Sequence, residues 1–286
     1  MSDIPLPFDA VVTRLRAAGC VFAEDEAALL LEAADSPAEL ERMLALRVDG
    51  LPLEHILGWA EFAGLRIAVD PGVFVPRRRT ELLVKESVRL VHPGAVVLDL
   101  CCGSAAVGAA IAAATRAAVD DDTPRPAPNG PATAPTAAGA ESVTVYAADI
   151  DPAAARSARR NLPDPAHVFE GDLYASLPHD LRGRIDILVV NAPYVPSDAI
   201  ATMPPEARLH EARLALDGGD DGLDVQRRVI TDAPGWLSAT GHLLIETSEA
   251  QAPGTAALFT AAGLSPRIVH DDDLDATVVI GARRPA

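Results

Sequence analysis

The chain has 286 residues and a formal net charge of −17, with 49% hydrophobic and 23% charged residues. That is long enough for one large domain with a small appendage, or for two domains, and apolar enough to bury a core. With 24 Lys and Arg against 41 acidic residues, the balance argues against direct nucleic-acid binding, which needs clustered cations, and suits a basic partner.

Residues 1–50 read as short helices. Phe8, Val11, Val12 and Leu15 fall at helical spacing, as do Ala27, Leu30, Leu31 and Leu40, Met43, Leu44. Ser36-Pro37-Ala38-Glu39 is a helix start, with Ser as N-cap and Pro at the first helical position. A small helical domain over 1–50 is therefore expected, followed by a linker over 51–75. Within that linker, Glu61–Asp70 reads as a hairpin turning at Gly64. Arg77-Arg78-Arg79 is the densest basic cluster of the chain and is read as ordinary loop charge.

The pattern changes in the domain expected over 76–286. Apolar strand candidates at 95–100, 143–150, 167–172, 185–190 and 241–247 alternate with helical stretches. That alternation predicts an α/β fold with a parallel, doubly wound sheet. Arg267–His270 and Thr277–Gly281 read as a hairpin closing one edge of it. Residues 117–141, rich in Pro, Ala and Thr without an apolar period, read as a disordered insert.

The three cysteines, Cys20 and the adjacent Cys101-Cys102, fit neither a disulfide framework nor a zinc spacing, and no metal site is expected. Reduced thiols are the default. No run approaches about 18 apolar residues and no secretory leader is evident. The expectation is a soluble, cytoplasmic monomer without membrane contact.

In an open α/β sheet, ligands bind beyond the carboxyl ends of the strands, and four motifs fall at those ends. The first strand finishes in Leu98-Asp99-Leu100-Cys101-Cys102-Gly103-Ser104, a tight turn into a helix where backbone can approach a ligand. The second ends in Ala148-Asp149-Ile150-Asp151. Asp151 is expected to cap the helix starting at Pro152, and Asp149 to face a ribose. The third ends in Glu170-Gly171-Asp172-Leu173, where Asp172 is either a turn acid or an acceptor for an adenine amine.

The fourth ends in Asn191-Ala192-Pro193-Tyr194. An Asn oxygen and the next backbone carbonyl can take both hydrogens of a conjugated nitrogen. That holds its lone pair toward an electrophilic methyl, which is catalysis by positioning. Together the four ends predict a cleft for S-adenosylmethionine and an amide or amine acceptor.

Further motifs resemble the HemK/PrmC-type protein-(glutamine-N5) methyltransferases, which act on the Gly-Gly-Gln loop of peptide-chain release factors. They are Leu53–Gly58 with Phe62 and Gly64-Leu65, then Phe74-Val75-Pro76-Arg77 with Thr80-Glu81, and the run Glu211–Gly219 with Asp221-Gly222-Leu223. The resemblance implies a class I methyltransferase domain behind a helical substrate-binding domain, with S-adenosylmethionine as cofactor and a release factor or related protein as partner. It places Asp99, Cys101 and Gly103 at the methionine end of the cofactor. Asp149 and Ile150 fall at the ribose, Asp172 and Leu173 at the adenine, and Asn191 beside it. Asn191, Ala192, Pro193 and Tyr194 would be catalytic. Phe74, Pro76, Arg77 and Glu211 would contact substrate together with Asn191 and Tyr194.

Three departures mark a divergent paralogue. A Gly-x-Gly-x-Gly turn is here Cys101-Cys102-Gly103-Ser104-Ala105, the first Pro of the tetrad is Ala192, and Arg78-Arg79 replace Pro-Glu. A left-handed φ at Cys101 or Ala105 costs on the order of 1 kcal/mol. Two other functions remain open from the residues. One is an adenine-N6 methyltransferase of DNA or RNA, which uses the same tetrad on a flipped base; the other is an inactive cofactor-binding paralogue.

Overall fold

The computed structural model describes residues 6–121, 142–164 and 167–283. Helices α1 (Phe8–Ala17), α2 (Ala23–Ala33) and α3 (Pro37–Val48) pack around Val11, Leu15, Ala27, Leu30, Leu40, Met43 and Leu44. These are the residues whose spacing predicts the helices. Ser36 caps α3 by accepting from the Glu39 N–H at 3.1 Å. Arg47 of α3 pairs with Glu26 of α2 at 2.6 Å and reaches Glu206 at 3.2 Å, so one guanidinium joins these helices to the larger unit.

A five-residue helix that the sequence reading lacked, α4 (Leu53–Leu57), ends at left-handed Gly58. The hairpin follows as β1 (Trp59–Phe62) and β2 (Leu65–Ala68). Its turn residues Ala63 and Gly64 both have positive φ, 50° and 76°, which matches the twist of a two-residue hairpin loop.

The larger unit comprises α5 (Glu81–Val88), β3 (Val96–Leu100), α6 (Ala106–Asp121), β4 (Thr144–Asp149), α7 (Pro152–Asn161), β5 (Val168–Glu170) and β6 (Ile185–Val190). It continues with α8 (Pro205–His210), α9 (Asp224–Asp232), β7 (Leu237–Thr247), α10 (Ala252–Ala261), β8 (Leu264–Asp271) and β9 (Ala276–Arg283). The sheet order is β5-β4-β3-β6-β7-β9-β8. Its first five strands run parallel, and β9 and β8 add antiparallel at one edge.

Both faces are covered, and alternate strand residues serve each. Val97, Ile187, Val189, Leu244, Val278 and Ile280 pack with residues of α5, α6 and α7. Leu98, Leu188, Val190, Leu243, Ile245 and Val279 pack with residues of α9 and α10.

The differences from the sequence reading have local causes. The third predicted strand stops at Glu170 because Gly171 (φ 154°) and Leu173 (φ 49°) turn the chain. The fifth begins four residues early, so Gly241 lies in its interior rather than at its start. A Cβ there would sit 2.6 Å from the Ile185 carbonyl oxygen, so this glycine marks a close approach and not a break. Residues 117–121 of the expected insert are the last turn of α6, which the alanine-rich sequence continues; 122–141 lie outside the described residues.

Candidate active site

Strands β4 and β6 lie on opposite sides of β3, so the strand order switches there. A cavity opens at the carboxyl ends of these strands, as the switch-point rule requires. Asp99, Cys101, Gly103, Asp149, Ile150, Asp172, Leu173 and the whole tetrad Asn191–Tyr194 line it, together with Phe74, Pro76 and Arg77.

The turn after β3 keeps the backbone of a three-glycine loop with one glycine. Cys101, Gly103 and Ala105 have φ of 57°, 54° and 57°. Among the described residues five non-glycine residues have positive φ, and Cys101, Ala105 and Leu173 of these belong to the two loops at the cavity. Such strain persists where the surroundings over-determine it, typically at functional sites. A left-handed Ala costs about 1–2 kcal/mol, and Gly recovers that less its own unfolded-state entropy, about 0.5–1 kcal/mol. Cys101→Gly is therefore expected to raise the Tm by a few degrees, on the order of 2–4 °C per kcal/mol at this size. Ala105→Gly should do the same, less what its buried methyl contributes. Differential scanning calorimetry reads this directly, and a lowered Tm for Cys101→Gly would show that the side chain, not the backbone, sets the turn.

Asp149 ties this turn to the second strand end. Its Oδ2 accepts from the Gly103 N–H at 2.8 Å and its Oδ1 from the Asp151 N–H at 2.9 Å. Asp151 caps α7 by accepting from the Ala153 N–H at 2.8 Å. Each Asp149 oxygen keeps a lone pair for a ligand hydroxyl. Asn161, at the end of α7, accepts from the Ala68 N–H and donates to the Ala68 and Ser104 carbonyls at 2.9 and 2.8 Å. One carboxamide thus fastens the β1–β2 hairpin to the turn.

Asp99 is buried and accepts from the Gly108 N–H at 2.9 Å. Burial pushes its carboxyl up to about 8; the Gly108 bond opposes this and the Asp149 charge adds to it. Burial likewise raises Asp149 against the pull of the Asp151, Gly103 and Ile150 N–H groups. Two buried acids beside one cavity suit a cationic ligand group, which would favour their ionised forms. Asp172 is half exposed and pairs with Arg228 at 2.6 Å, so an adenine amine would share its oxygens with that guanidinium.

The tetrad is clamped from behind by the glycine-rich run. The Val195 N–H donates to Leu216 O at 3.0 Å, and the Gly218 N–H returns a bond to Val195 O at 2.8 Å. Gln251 donates to the carbonyls of Tyr194 and Asp221 at 2.9 and 3.0 Å. A Cβ on Gly218 would lie 2.8 Å from Pro193 O, and one on Gly222 would collide with the Tyr194 carbonyl. Those two glycines therefore let the loop lie directly on the tetrad's backbone.

Glu211 does not line the cavity, contrary to its expected place as a substrate contact. Its buried carboxylate accepts from the Val75 N–H and from Arg77, so it braces the Phe74–Arg77 wall from within. Arg77 also covers the Phe74 ring at 5.0 Å. Arg77 and Arg79 are thus not ordinary loop charges: Arg79 lines the cavity 3.6 Å from the carboxylate of Glu246.

Glu246 itself was missed. It stands near the carboxyl end of β7, is 2% exposed, and accepts from the Tyr194 hydroxyl at 3.3 Å. Its signal was available, an acid closing the apolar run Leu243-Leu244-Ile245, just as Asp99 and Asp149 sit at the ends of theirs. Thr80, which figures in the sequence only within the resembling segment, accepts from Asn191 Nδ2 at 3.3 Å.

A doubly wound sheet of this order, with acids at the ends of its first two strands and an Asn-Ala-Pro-Tyr tetrad on its fourth, defines a class I methyltransferase. Among solved structures, the 16S rRNA N2 G1207 methyltransferase of T. thermophilus, in complex with AdoMet and guanosine, matches with a TM-score of 0.50 at 18% identity. The match covers 79% of this chain and 50% of that one, and it supports the fold. No protein-family model matches the chain.

Relatives are closer in sequence. The release factor glutamine methyltransferase of Geobacter sulfurreducens is 32% identical over 244 residues, 84% of this chain and 76% of that protein. That of Gloeobacter violaceus is 34% identical over 227 residues, 76% and 70%. That of Streptomyces coelicolor is 33% identical over 232 residues, 79% and 73%. The chain belongs to the release factor glutamine methyltransferase family.

Proposed function

We propose that the protein methylates the side-chain amide nitrogen of a glutamine in a peptide-chain release factor, the glutamine of its Gly-Gly-Gln loop, using S-adenosylmethionine. The observation that carries this is Asn191. Its Nδ2 is engaged by Thr80, which leaves Oδ1 as the acceptor turned to the cavity. A carboxamide nitrogen needs such an acceptor, because its lone pair is delocalised and both hydrogens must be held for the lone pair to be presented. The Ala192 carbonyl serves the second hydrogen, the Tyr194 ring flanks the planar amide, and Phe74 and Pro76 line the same cavity.

When bound, S-adenosylmethionine supplies an electrophilic methyl group. The residues present fit it: Asp149 for the ribose, Asp172 and Leu173 for the adenine, Asp99 and the N–H groups of the 101–105 turn for the methionine end. The proton leaves the amide nitrogen only as the new bond forms, so no strong base is required.

The buried Asp99 gives this reading a pH dependence. Its carboxyl is raised to about 8, so the cofactor's ammonium group must displace a proton when it binds at neutral pH. Affinity for S-adenosylmethionine is expected to increase with pH up to about 8 and then level off, with a limiting slope of about tenfold per pH unit. The folded protein without cofactor has the opposite slope. A raised aspartate holds its proton in the folded state and loses it when unfolded, so this group's contribution to stability declines as pH rises toward its folded pKa. Titration calorimetry across neutral pH reads the first trend; an equal slope in Asp99→Asn would remove Asp99 as its cause.

The test of function is transfer of labelled methyl to unmethylated release factor, followed by peptide mass mapping. One added methyl on the Gly-Gly-Gln glutamine supports the proposal. Cofactor binding without transfer points to another protein substrate, and neither binding nor transfer to an inactive paralogue. Transfer to adenine in DNA or RNA instead would overturn it.

A further inference from the structure

Thr80 closes a 3-10 turn, Arg78–Thr80, that runs directly into α5, and its own backbone is helical (φ −65°, ψ −12°). Its side chain makes no capping bond to the helix. The side chain is buried, its oxygen accepts from Asn191 Nδ2 at 3.3 Å, and it lies near enough to the Glu246 carboxyl to oppose the upward push of burial on that group. That carboxylate is deeply buried. Its Oε1 takes the Tyr194 hydroxyl at 3.3 Å, while Oε2 has no hydrogen-bond partner among the described residues and so keeps its acceptor capacity. A buried carboxyl oxygen without a partner calls for a reason beyond stability.

We propose that Thr80 is a positioning residue for methyl transfer, its hydroxyl wedged between Glu246 and Asn191 to fix which end of the Asn191 carboxamide faces the cavity. The argument is an inventory of donors and acceptors. Burial raises the Glu246 carboxyl while Thr80, Arg79 and Tyr194 pull it back; in its ionised form it only accepts, so the single Thr80 proton goes to it. The Thr80 oxygen then offers Asn191 lone pairs alone, so the group beside it is the NH2, and Oδ1 faces away from it. An asparagine amide has two orientations of nearly equal shape. The wrong one would present donors to a substrate nitrogen that itself carries donors. Glu246 thereby sets the polarity of a catalytic side chain that it does not touch. Because it also holds the Tyr194 hydroxyl, both polar side chains of the tetrad are referred to one buried anchor.

The kinetic arm of the test rests on the methyl-transfer reading; a spectroscopic arm does not. Thr80→Val keeps the shape and removes the hydroxyl. It is expected to lower kcat by at least ~10-fold through misorientation, with KM for the release factor and affinity for S-adenosylmethionine close to wild type. Thr80→Ser should recover most of that loss. A threonine of merely structural value would lower the Tm and leave kcat unmoved.

Glu246→Gln is the independent variant, useful if Thr80→Val does not fold. A glutamine NH2 can donate to Thr80, which frees the hydroxyl proton for Asn191 Oδ1, so kcat should again decline. For the second arm, the side-chain amide of Asn191 is followed by 15N NMR in cofactor-free protein, identified by its disappearance in Asn191→Asp. One of its two protons should exchange slowly with solvent in wild type and Thr80→Ser, and both rapidly in Thr80→Val and Glu246→Gln. Equal exchange in wild type and the folded hydroxyl-free or Gln variant overturns the proposal, as does wild-type kcat in either variant. A wild-type protein that binds cofactor but does not methylate the release factor overturns the functional reading alone, and the amide exchange still decides the role of Thr80.

Discussion

Asn191→Ala is expected to lower kcat by ~10²-fold or more, the usual scale for removing one preorganised polar group, and to leave S-adenosylmethionine affinity within about twofold. The split follows from where the side chain sits. Asn191 directly follows β6 and its amide is held by Thr80, whereas the proposed cofactor contacts come mainly from the ends of β3, β4 and β5. Truncation removes one of two acceptors for the substrate nitrogen but leaves the 101–105 turn and Asp149 untouched. Single-turnover kinetics with release factor, beside calorimetry with cofactor alone, separate the two quantities. Unchanged kcat would mean that the tetrad does not hold the reacting nitrogen. A parallel loss of cofactor affinity would mean that Asn191 belongs to the cofactor subsite instead.

Asp149→Ala should show the reverse pattern. The carboxylate accepts from the Gly103 and Asp151 N–H groups and retains lone pairs for ribose hydroxyls. Its removal takes away a ligand contact and frees the strained turn together. Cofactor affinity is expected to weaken by ~10²-fold, about 2.7 kcal/mol, and the Tm to decline as well, since a partly buried N–H left unpaired costs about 1–3 kcal/mol. Asp149→Asn is the informative comparison. Its one oxygen can serve one N–H while its NH2 opposes the other, so it should be intermediate in affinity and close to Asp149→Ala in Tm. Affinity unchanged in both variants would displace the ribose from this strand end.

Much of this site was legible in the sequence because it is built from strand ends. A buried parallel strand is a short apolar run, and the first polar residues after it fall at the carboxyl edge where ligands collect. Asp99, Asp149, Asp172 and Asn191 were found in that way, and all line the cavity. What was not legible came from across the fold. Glu246 meets Tyr194 and Arg79 only because β7 lies beside β6, a pairing that an apolar period does not specify. Glu211 sits in a run whose spacing says nothing of which way its carboxylate turns; it turns inward, to Val75 and Arg77.

The backbone of the 101–105 turn was the reverse case. Cys101 and Ala105 look incompatible with left-handed geometry, yet both adopt it, because the Asp149 bond to Gly103 and the Asn161 bond to Ser104 hold the loop more firmly than side-chain preference opposes it. Local propensity yields there to tertiary context. In the same way, Gly241 reads as a strand boundary and proves to be a strand interior, since what it accommodates is another strand's carbonyl.

Among the described residues, the order β5-β4-β3-β6-β7-β9-β8 leaves two rims of the sheet unpaired, and the two are blunted differently. The β5 rim is three residues long, too short to template an added strand. The β8 rim is eight residues long but carries Pro266, Arg267, His270 and Asp271, so an incoming strand would meet a missing N–H donor or a charge that must be desolvated. Aggregation through edge-to-edge pairing is thereby discouraged at both ends of an otherwise very apolar sheet. Replacing Arg267 and Asp271 with threonine would be the simplest way to make this protein prone to self-association without touching its active site.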